Sequence, residues 1–523
     1  MRNAEKMEIS GKKQLFINLF ASVVVFATQF VIGFVLSPYI IEKLGEAANG
    51  FITLANNFTQ YATLLTVAVN SMANRFISYE YNRGNKQKAE EYFASVFVIN
   101  ALCSLIITVV SVFVVINLKS LIQVDDSVLG EVQMTFALSF ANLVVSFLST
   151  SYTSSTFVVN RMDINALVQI GSNLVRLLVT VWLYMFFAPR IQYASAAVLC
   201  AGVFSAVFYI ILKKKLLPDI KLNFKSFSVK CVISLARSGV WFLISNISSM
   251  LLNGLDVLIA NVFISEIAMG RLSVSKTIPN AVGSLLGTLA NMFAASFTIF
   301  AAQKDYEGLI KEIKFTCKIL GLFLTVPFAG VIIYGVEFLT LWLPSGVYDS
   351  ASINQVYILM LLTLVNVIIN AYMYSIHSLY IALDKVKMYS IIILISSFVS
   401  FGATLVFLKY TSLGVYAVAG TSTAVLFFVN LFLIPMYAEH ILGIKFFSIL
   451  KTILKNYVAL GVTCVLFLLF KPLFAFDGWL KFLFAAVVSA LIGYPLDFMI
   501  LLNKEEKHKF LTAIKNKLCR KTS

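Results

Sequence analysis

Arg75-Phe76-Ile77-Ser78, followed by Asn82-Arg83, recurs about 221 residues later as Ser296-Phe297-Thr298-Ile299 followed by Gln303-Lys304. At the same offset Asp163 falls on Asp384, and near the other membrane surface Gly50 falls on Gly270, one residue out of step. These are loop and loop-edge residues, where lipid does not force every sequence to look alike. The match therefore reads as an internal duplication. Working outward from it, the chain is 59% hydrophobic and 13% charged, with a mean hydropathy of +0.88. That composition excludes an ordinary soluble protein.

Apolar stretches of roughly 20 or more residues, enough to cross a ~30 Å hydrocarbon core as helix, recur near 15–41, 48–72, 93–117, 132–159, 164–188 and 191–212. Six more lie near 232–263, 277–301, 315–338, 353–383, 387–408 and 413–436, and two near 456–472 and 479–502. The expected fold is an all-α polytopic membrane protein of about 14 transmembrane helices, two six-helix lobes related by the repeat plus two C-terminal helices. The expected organisation is an N-lobe over 1–212, an amphipathic linker over 213–231 and a C-lobe over 232–436. An interfacial segment over 437–455, the last two spans over 456–502 and a basic tail over 503–523 complete it.

With both termini in the cytoplasm, the cytoplasmic segments hold 31 of the 41 Lys and Arg residues and the external ones 8. This is the asymmetry that sets orientation, so the +16 charge is a topology signal and no nucleic-acid partner is expected. The first apolar stretch is too long for a cleavable signal and lacks a small-x-small exit, so it reads as a retained span. Cys103, Cys200, Cys231, Cys317, Cys464 and Cys519 lack pairing or metal-like spacing and read as small apolar fillers. Three histidines, His377, His440 and His508, exclude a histidine-rich metal site. The expected external loops are short and the cytoplasmic ones carry neither a phosphate-binding glycine loop nor a metalloprotease helix motif. A non-enzymatic protein without an ATP-driven motor or bound cofactor is expected.

Polar residues inside membrane helices are costly unless they face a partner helix or a hydrated cavity. Here they form stripes at spacings of 3 and 4. The second span has Asn56, Gln60, Thr63, Asn70 and Asn74; the fourth has Asn142, Ser146, Ser149, Thr153 and Asn160. The seventh has Asn246, Ser249, Asn253 and Asp256; the eighth has Asn280, Ser284, Thr288 and Asn291. Weaker stripes are Asn18, Ser22 and Gln29 in the first span and Asn366, Asn370 and His377 in the tenth. Such residues can simply glue helices together, but stripes in corresponding spans of both halves favour a polar cavity between the halves. In the fifth span Arg176 shares a stripe with Gln169, Asn173 and Thr180. It lies 12 residues past Ile164, about 18 Å deep at ~1.5 Å per residue. A guanidinium at that depth needs an anion, water or a carboxylate, and its planar fork suits phosphate oxygens. Arg237 can snorkel to the near surface, and Arg75 and Arg161 sit at span ends. Asp256 is open to a salt bridge, a coupling cation or solvation, and Asp497, beside Tyr494 and Pro495, reads as a local helix-break partner.

The chain resembles the multidrug/oligosaccharidyl-lipid/polysaccharide exporter superfamily, specifically the O-antigen and capsule repeat-unit flippases known as polysaccharide biosynthesis proteins. The resemblance rests on the two lobes, the two extra helices and the segment Ser71-Met72-Ala73-Asn74-Arg75-Phe76 to Asn82-Arg83-Gly84-Asn85. It implies alternating access in a bacterial cytoplasmic membrane, a substrate of undecaprenyl-pyrophosphate-linked oligosaccharide, a Na+ or H+ gradient as energy source, and a polysaccharide polymerase and chain-length regulator as partners. Combined with the stripes, it suggests Arg176, Arg237 and Arg75 for the pyrophosphate, Asn56, Gln60, Asn246, Asn253 and Asn291 for the sugar path, and Asp256 for cation coupling. The alternatives are a cation-coupled multidrug antiporter of the same superfamily, which often has a carboxylate in its first span, whereas Lys13 to Ile41 has none, and a peptidoglycan-precursor or teichuronic-type glycan flippase.

Overall fold

The structure is a computed structural model that describes residues 24–159, 161–383, 385–444, 448–504 and 506–507. The side chains of residues 253, 288–292, 294–295, 298–299, 302, 378 and 381 are outside that description. Among the described residues each of the fourteen expected spans is helical: α1 (Val24–Leu44), α2 (Glu46–Asn82), α3 (Lys86–Ile116), α4 (Leu129–Val158), α5 (Met162–Phe186), α6 (Gln192–Leu216) and α7 (Val229–Phe263). The second half contributes α8 (Thr277–Ala302), α9 (Tyr306–Trp342), α10 (Ser350–Ala382), α11 (Val386–Tyr410), α12 (Val415–Leu442), α13 (Leu450–Phe470) and α14 (Trp479–Leu501). Among the described residues, 12 helices are long and apolar enough to cross a membrane. The two others are α2, whose polar stripe lowers its hydropathy, and α8, many of whose side chains lie outside the description.

The repeat is visible in the backbone, and it corrects the register. Gly84, at φ 88°, and Lys304, at φ 56°, make the same left-handed turn in the two copies. The next residue caps the following helix each time: Asn85 Oδ1 accepts from Lys88 N at 3.1 Å, and Asp305 Oδ1 from Gly308 N at 2.9 Å. The α2–α3 and α8–α9 turns thus match at 220, not 221, because a left-handed position and its cap cannot slide along the chain. On this offset Gly50 and Gly270 fall into step. The second copy of α2 is split: a short helix Glu266–Ser275 ends at Lys276, and α8 starts at Thr277. Pro279 explains the split, since it has no N–H for the Ser275 carbonyl one turn back and its ring crowds that carbonyl.

The chain divides into two compact units. Unit 1 runs to Thr277 and includes Ser390–Ser422; unit 2 comprises Ile278–Tyr389 and the residues from Thr423 on. In unit 1, α2 packs along α3, α4 and α7, and α6 lies against α4 and α5. Its core at one end joins Ile77, Phe93, Val96, Leu217, Ile220 and Leu235. Residues 217–228 carry a single 3-10 turn, Phe224–Ser226, with Leu217 and Ile220 fully buried and Phe224 exposed. α7 approaches α2 so closely that a β-carbon on Gly239 would stand 1.9 Å from the Ala68 carbonyl oxygen. In unit 2, α9 carries α10, α13 and α14 around it. It passes through Pro327, and α14 through Pro495, without ending. Asp497 bonds to Thr463 of α13 rather than to its own helix, so its partner is across the helix pair.

Candidate functional site

α4 and α6 share the longest interface of unit 1, and α5 lies beside α6. Because spacings of 3 and 4 stay on one helical face, Asn142, Ser146, Ser149 and Thr153 of α4 all point toward this trio's interior. There they line a cavity of about 350 Å³ with Thr150, with Ser172, Asn173 and Arg176 of α5, and with Ser205 and Tyr209 of α6. Gly202 of α6 makes room for the Asn142 amide: a β-carbon there would lie 2.0 Å from Asn142 Oδ1. The wall is tied together by Ser172 Oγ donating to the Ala201 carbonyl at 2.9 Å and by Tyr209 Oη donating to Asn165 Oδ1 at 2.6 Å. Asn173 Nδ2 donates to Thr28 Oγ1 of α1 at 3.0 Å.

Arg176 is the only charged residue in this lining. Its Nε is buried without a hydrogen-bond partner, as is Asn142 Oδ1, and no carboxylate pairs with the guanidinium among the described residues. A half-buried guanidinium with a sequestered, unpartnered Nε and no counter-ion is poorly compensated. An anion with several oxygens would satisfy it, while hydroxyls and amides around it can bond to sugar or phosphate oxygens.

The other expected residues occupy different places. Arg75 on α2 and Arg237 on α7 are exposed and do not line this cavity; the same holds for Asn56, Gln60 and Asn246. Asn246 donates to its own helix at the Phe242 carbonyl, 2.8 Å. The side chains of Asn253, Thr288 and Asn291, and all of Asn18, Ser22, Asn160 and Asp384, lie outside the described residues. Asp256 is paired: Lys276 Nζ lies 2.6 Å from its Oδ2 with both side chains about nine-tenths buried, which is the salt bridge among its three open readings. Outside the spans, Ser127 donates to Asp125 from its hydroxyl and its amide, which holds that carboxyl below the usual range. The tenth-span stripe builds a separate cluster in unit 2, with Asn370 Nδ2 donating to Asn366 Oδ1 at 2.6 Å and Asn430 Nδ2 reaching Asn370 Oδ1 at 3.4 Å.

Two features escape the stripes. Gly202, Ser205 and Tyr209 repeat the 3-and-4 spacing on α6, a signal present in the sequence. Asn57 and Tyr61 of α2 both donate to the Gly254 carbonyl, Asn57 at 3.3 Å. That carbonyl ends a π-turn, Met250–Gly254, inside α7, and such turns have no reliable local sequence mark.

Unit 1 is thus a helical bundle with a polar, part-buried cavity among three of its helices. The MatE family model matches residues 21–182. The membrane protein EpsK of Bacillus subtilis (strain 168) is 24% identical over 495 residues, 95% of this chain and 97% of its own. Among solved structures, the lipid II flippase MurJ in an inward closed conformation aligns with a TM-score of 0.67 at 14% identity, covering 92% of this chain and 97% of that one. An inward-facing multidrug resistance MATE family transporter of the MOP superfamily aligns with a TM-score of 0.66 at 12% identity, covering 82% and 98%. These likenesses show the fold: the chain is a multi-pass helical membrane protein built like these solved transporters, with the MatE match confined to its first third.

Proposed function

We propose that the protein is a flippase that moves undecaprenyl-pyrophosphate-linked oligosaccharide repeat units across the bacterial cytoplasmic membrane by alternating access, for surface polysaccharide synthesis. The observation that carries this reading is Arg176, half-buried, with an unpartnered Nε and no carboxylate, in a cavity otherwise lined by neutral and mostly polar residues. A site for a cationic drug would need anionic walls, and this one has the opposite sign. At about 350 Å³ the cavity is near the lower end of the ~300–1,000 Å³ of small-molecule sites, so it suits a pyrophosphate and its first sugar rather than a whole repeat unit.

Arg75 and Arg237, exposed on the neighbouring helices α2 and α7, would draw the pyrophosphate in at the cytoplasmic mouth, where both chain termini are also expected. The exposed amides Asn56, Gln60 and Asn246 on the same two helices would offer bonds to the sugars, with Asn253 and Asn291 as further candidates. Support comes from the likeness to a lipid II flippase, which covers a larger share of the chain than the drug transporter does. A polymerase and chain-length regulator would act on the product, and an ion gradient would drive the cycle. The test compares Arg176→Ala with wild type in a surface-glycan assay and a dye-efflux assay at matched protein level. Loss of surface glycan with no effect on dye is expected; intact surface glycan overturns the assignment.

A further inference from the structure

The last helix pair, α13 and α14, packs on α9 within unit 2, and it encloses a carboxyl that the transport reading does not use. Asp497 of α14 is 0% exposed. Its Oδ1 accepts from Thr463 Oγ1 of α13 at 2.8 Å, and its Oδ2 has no hydrogen-bond partner. No Lys, Arg or His pairs with it among the described residues. On α9, Lys318 pairs with Glu506 at 2.7 Å and Lys314 donates to Ser448 Oγ at 2.9 Å; Lys455 of α13 acts on Glu506, and Lys471, just past α13, pairs with Glu337 at 2.7 Å. The titratable groups facing Asp497 are Cys464 of α13, Tyr494 of α14 and Tyr372 of α10. All three are neutral at neutral pH in their ordinary forms. From α9, Thr325 is turned to Tyr372 Oη at 3.0 Å, and α10 carries no Asp, Glu, Lys or Arg at all.

One hydroxyl donor does not compensate an ionised carboxylate sealed inside a membrane helix pair. A proton on Oδ2 does. A metal cation would need several oxygen ligands, and the other partnerless oxygens among this helix pair's described side chains, Asn456 Oδ1 and Tyr457 Oη, sit on α13 seven and six residues before Thr463, about 9–10 Å along the helix axis at ~1.5 Å per residue. Three and seven residues before Asp497, on the same face, Tyr494 and Ala490 border a cavity of about 310 Å³ that also carries the hydroxyls of Tyr334 and Ser489, so a space with polar groups begins one turn away.

We propose that Asp497 is a proton-binding site, which holds one proton in this conformation and gives it to water as a hydronium ion when the α13–α14 pair loosens. Proton occupancy is then linked to the packing of the last two helices, independently of what the cavity at Arg176 carries.

The test is infrared difference spectroscopy on the full-length protein in lipid vesicles. Wild type at neutral pH is expected to show a protonated-carboxyl C=O band that shifts in D2O, is missing from Asp497→Asn, and disappears on raising the pH with release of one proton per protein. Identical spectra for the two proteins overturn the proposal, as does a band that persists at every pH. Removal of the band by Na+ at constant pH also overturns it, in favour of a metal-cation site. Thr463→Val keeps the carboxyl and guards against misfolding of Asp497→Asn: the band must move to higher frequency as its hydrogen bond is lost, and an unmoved band counts against the assignment.

Discussion

Gly50 and Gly270 hold the same position in the two copies of the repeat, and they touch: a β-carbon on Gly50 would stand 3.1 Å from Gly270 Cα. Contact between equivalent residues is the mark of a local two-fold relation. On the other side, a β-carbon on Gly270 would meet the Glu46 carbonyl oxygen at 2.4 Å. Backbone cannot yield as a side chain can, so Gly270→Ala is expected to destabilise by about 1–3 kcal/mol through overpacking. A lower Tm in detergent checks this; an unchanged Tm means that the approach is looser.

Lys276 and Asp256 neutralise each other in a dry setting. Removing one partner of such a pair costs about 3–5 kcal/mol, because the other is left charged and buried. Asp256→Asn and Lys276→Met should each lower the yield of folded protein, and the double variant should recover most of it. If the double variant folds but no longer transports, Asp256 has a role in cation coupling beyond the ion pair.

Gly202→Ala pushes a methyl group into the Asn142 amide. Asn142 must then leave its place in the cavity wall, and we expect reduced surface glycan with near-normal protein level. The companion change Asn142→Ala relieves the clash. Gly202→Ala in that background should fold as well as Asn142→Ala alone, which thermal melts of the two variants can decide.

Tyr61→Phe with Asn57→Leu removes both side-chain donors from the Gly254 carbonyl. A buried acceptor left unmade costs about 1–3 kcal/mol, so the double change should lower Tm, and each single change should do less because the other donor remains. Additive single effects equal to the double effect would mean that the carbonyl does not share its donors.

How much of this was legible varies from residue to residue. The α4 and α5 stripes converge on one cavity because a 3-and-4 spacing marks a helical face whatever that face meets. The meeting partner is not marked, and the α6 contribution followed from packing. Asn246 lies on an equally regular stripe yet bonds to its own backbone, since an amide on a helix can satisfy itself one turn back. The offset of the repeat was one residue off in the α2–α3 region because apolar spans tolerate sliding, whereas the left-handed turns at Gly84 and Lys304 do not. Lys276 falls outside the expected spans, 20 positions from Asp256, and Asp497 reads as a companion of Pro495; both pairings are fixed by tertiary packing.

The split at Lys276 gives the duplicated gene product a mechanical inequality. In the first copy, α2 is one rod of 37 residues, about 55 Å at ~1.5 Å per residue, and a turn imposed at one end is felt at the other. In the second copy the same length is jointed, because a proline stands at 279 where the first copy has Thr59. The boundary between the two units falls within two residues of that joint. One sequence, read twice, thus gives a continuous helix in its first copy and an interrupted one in its second, and a threonine-to-proline difference marks the break.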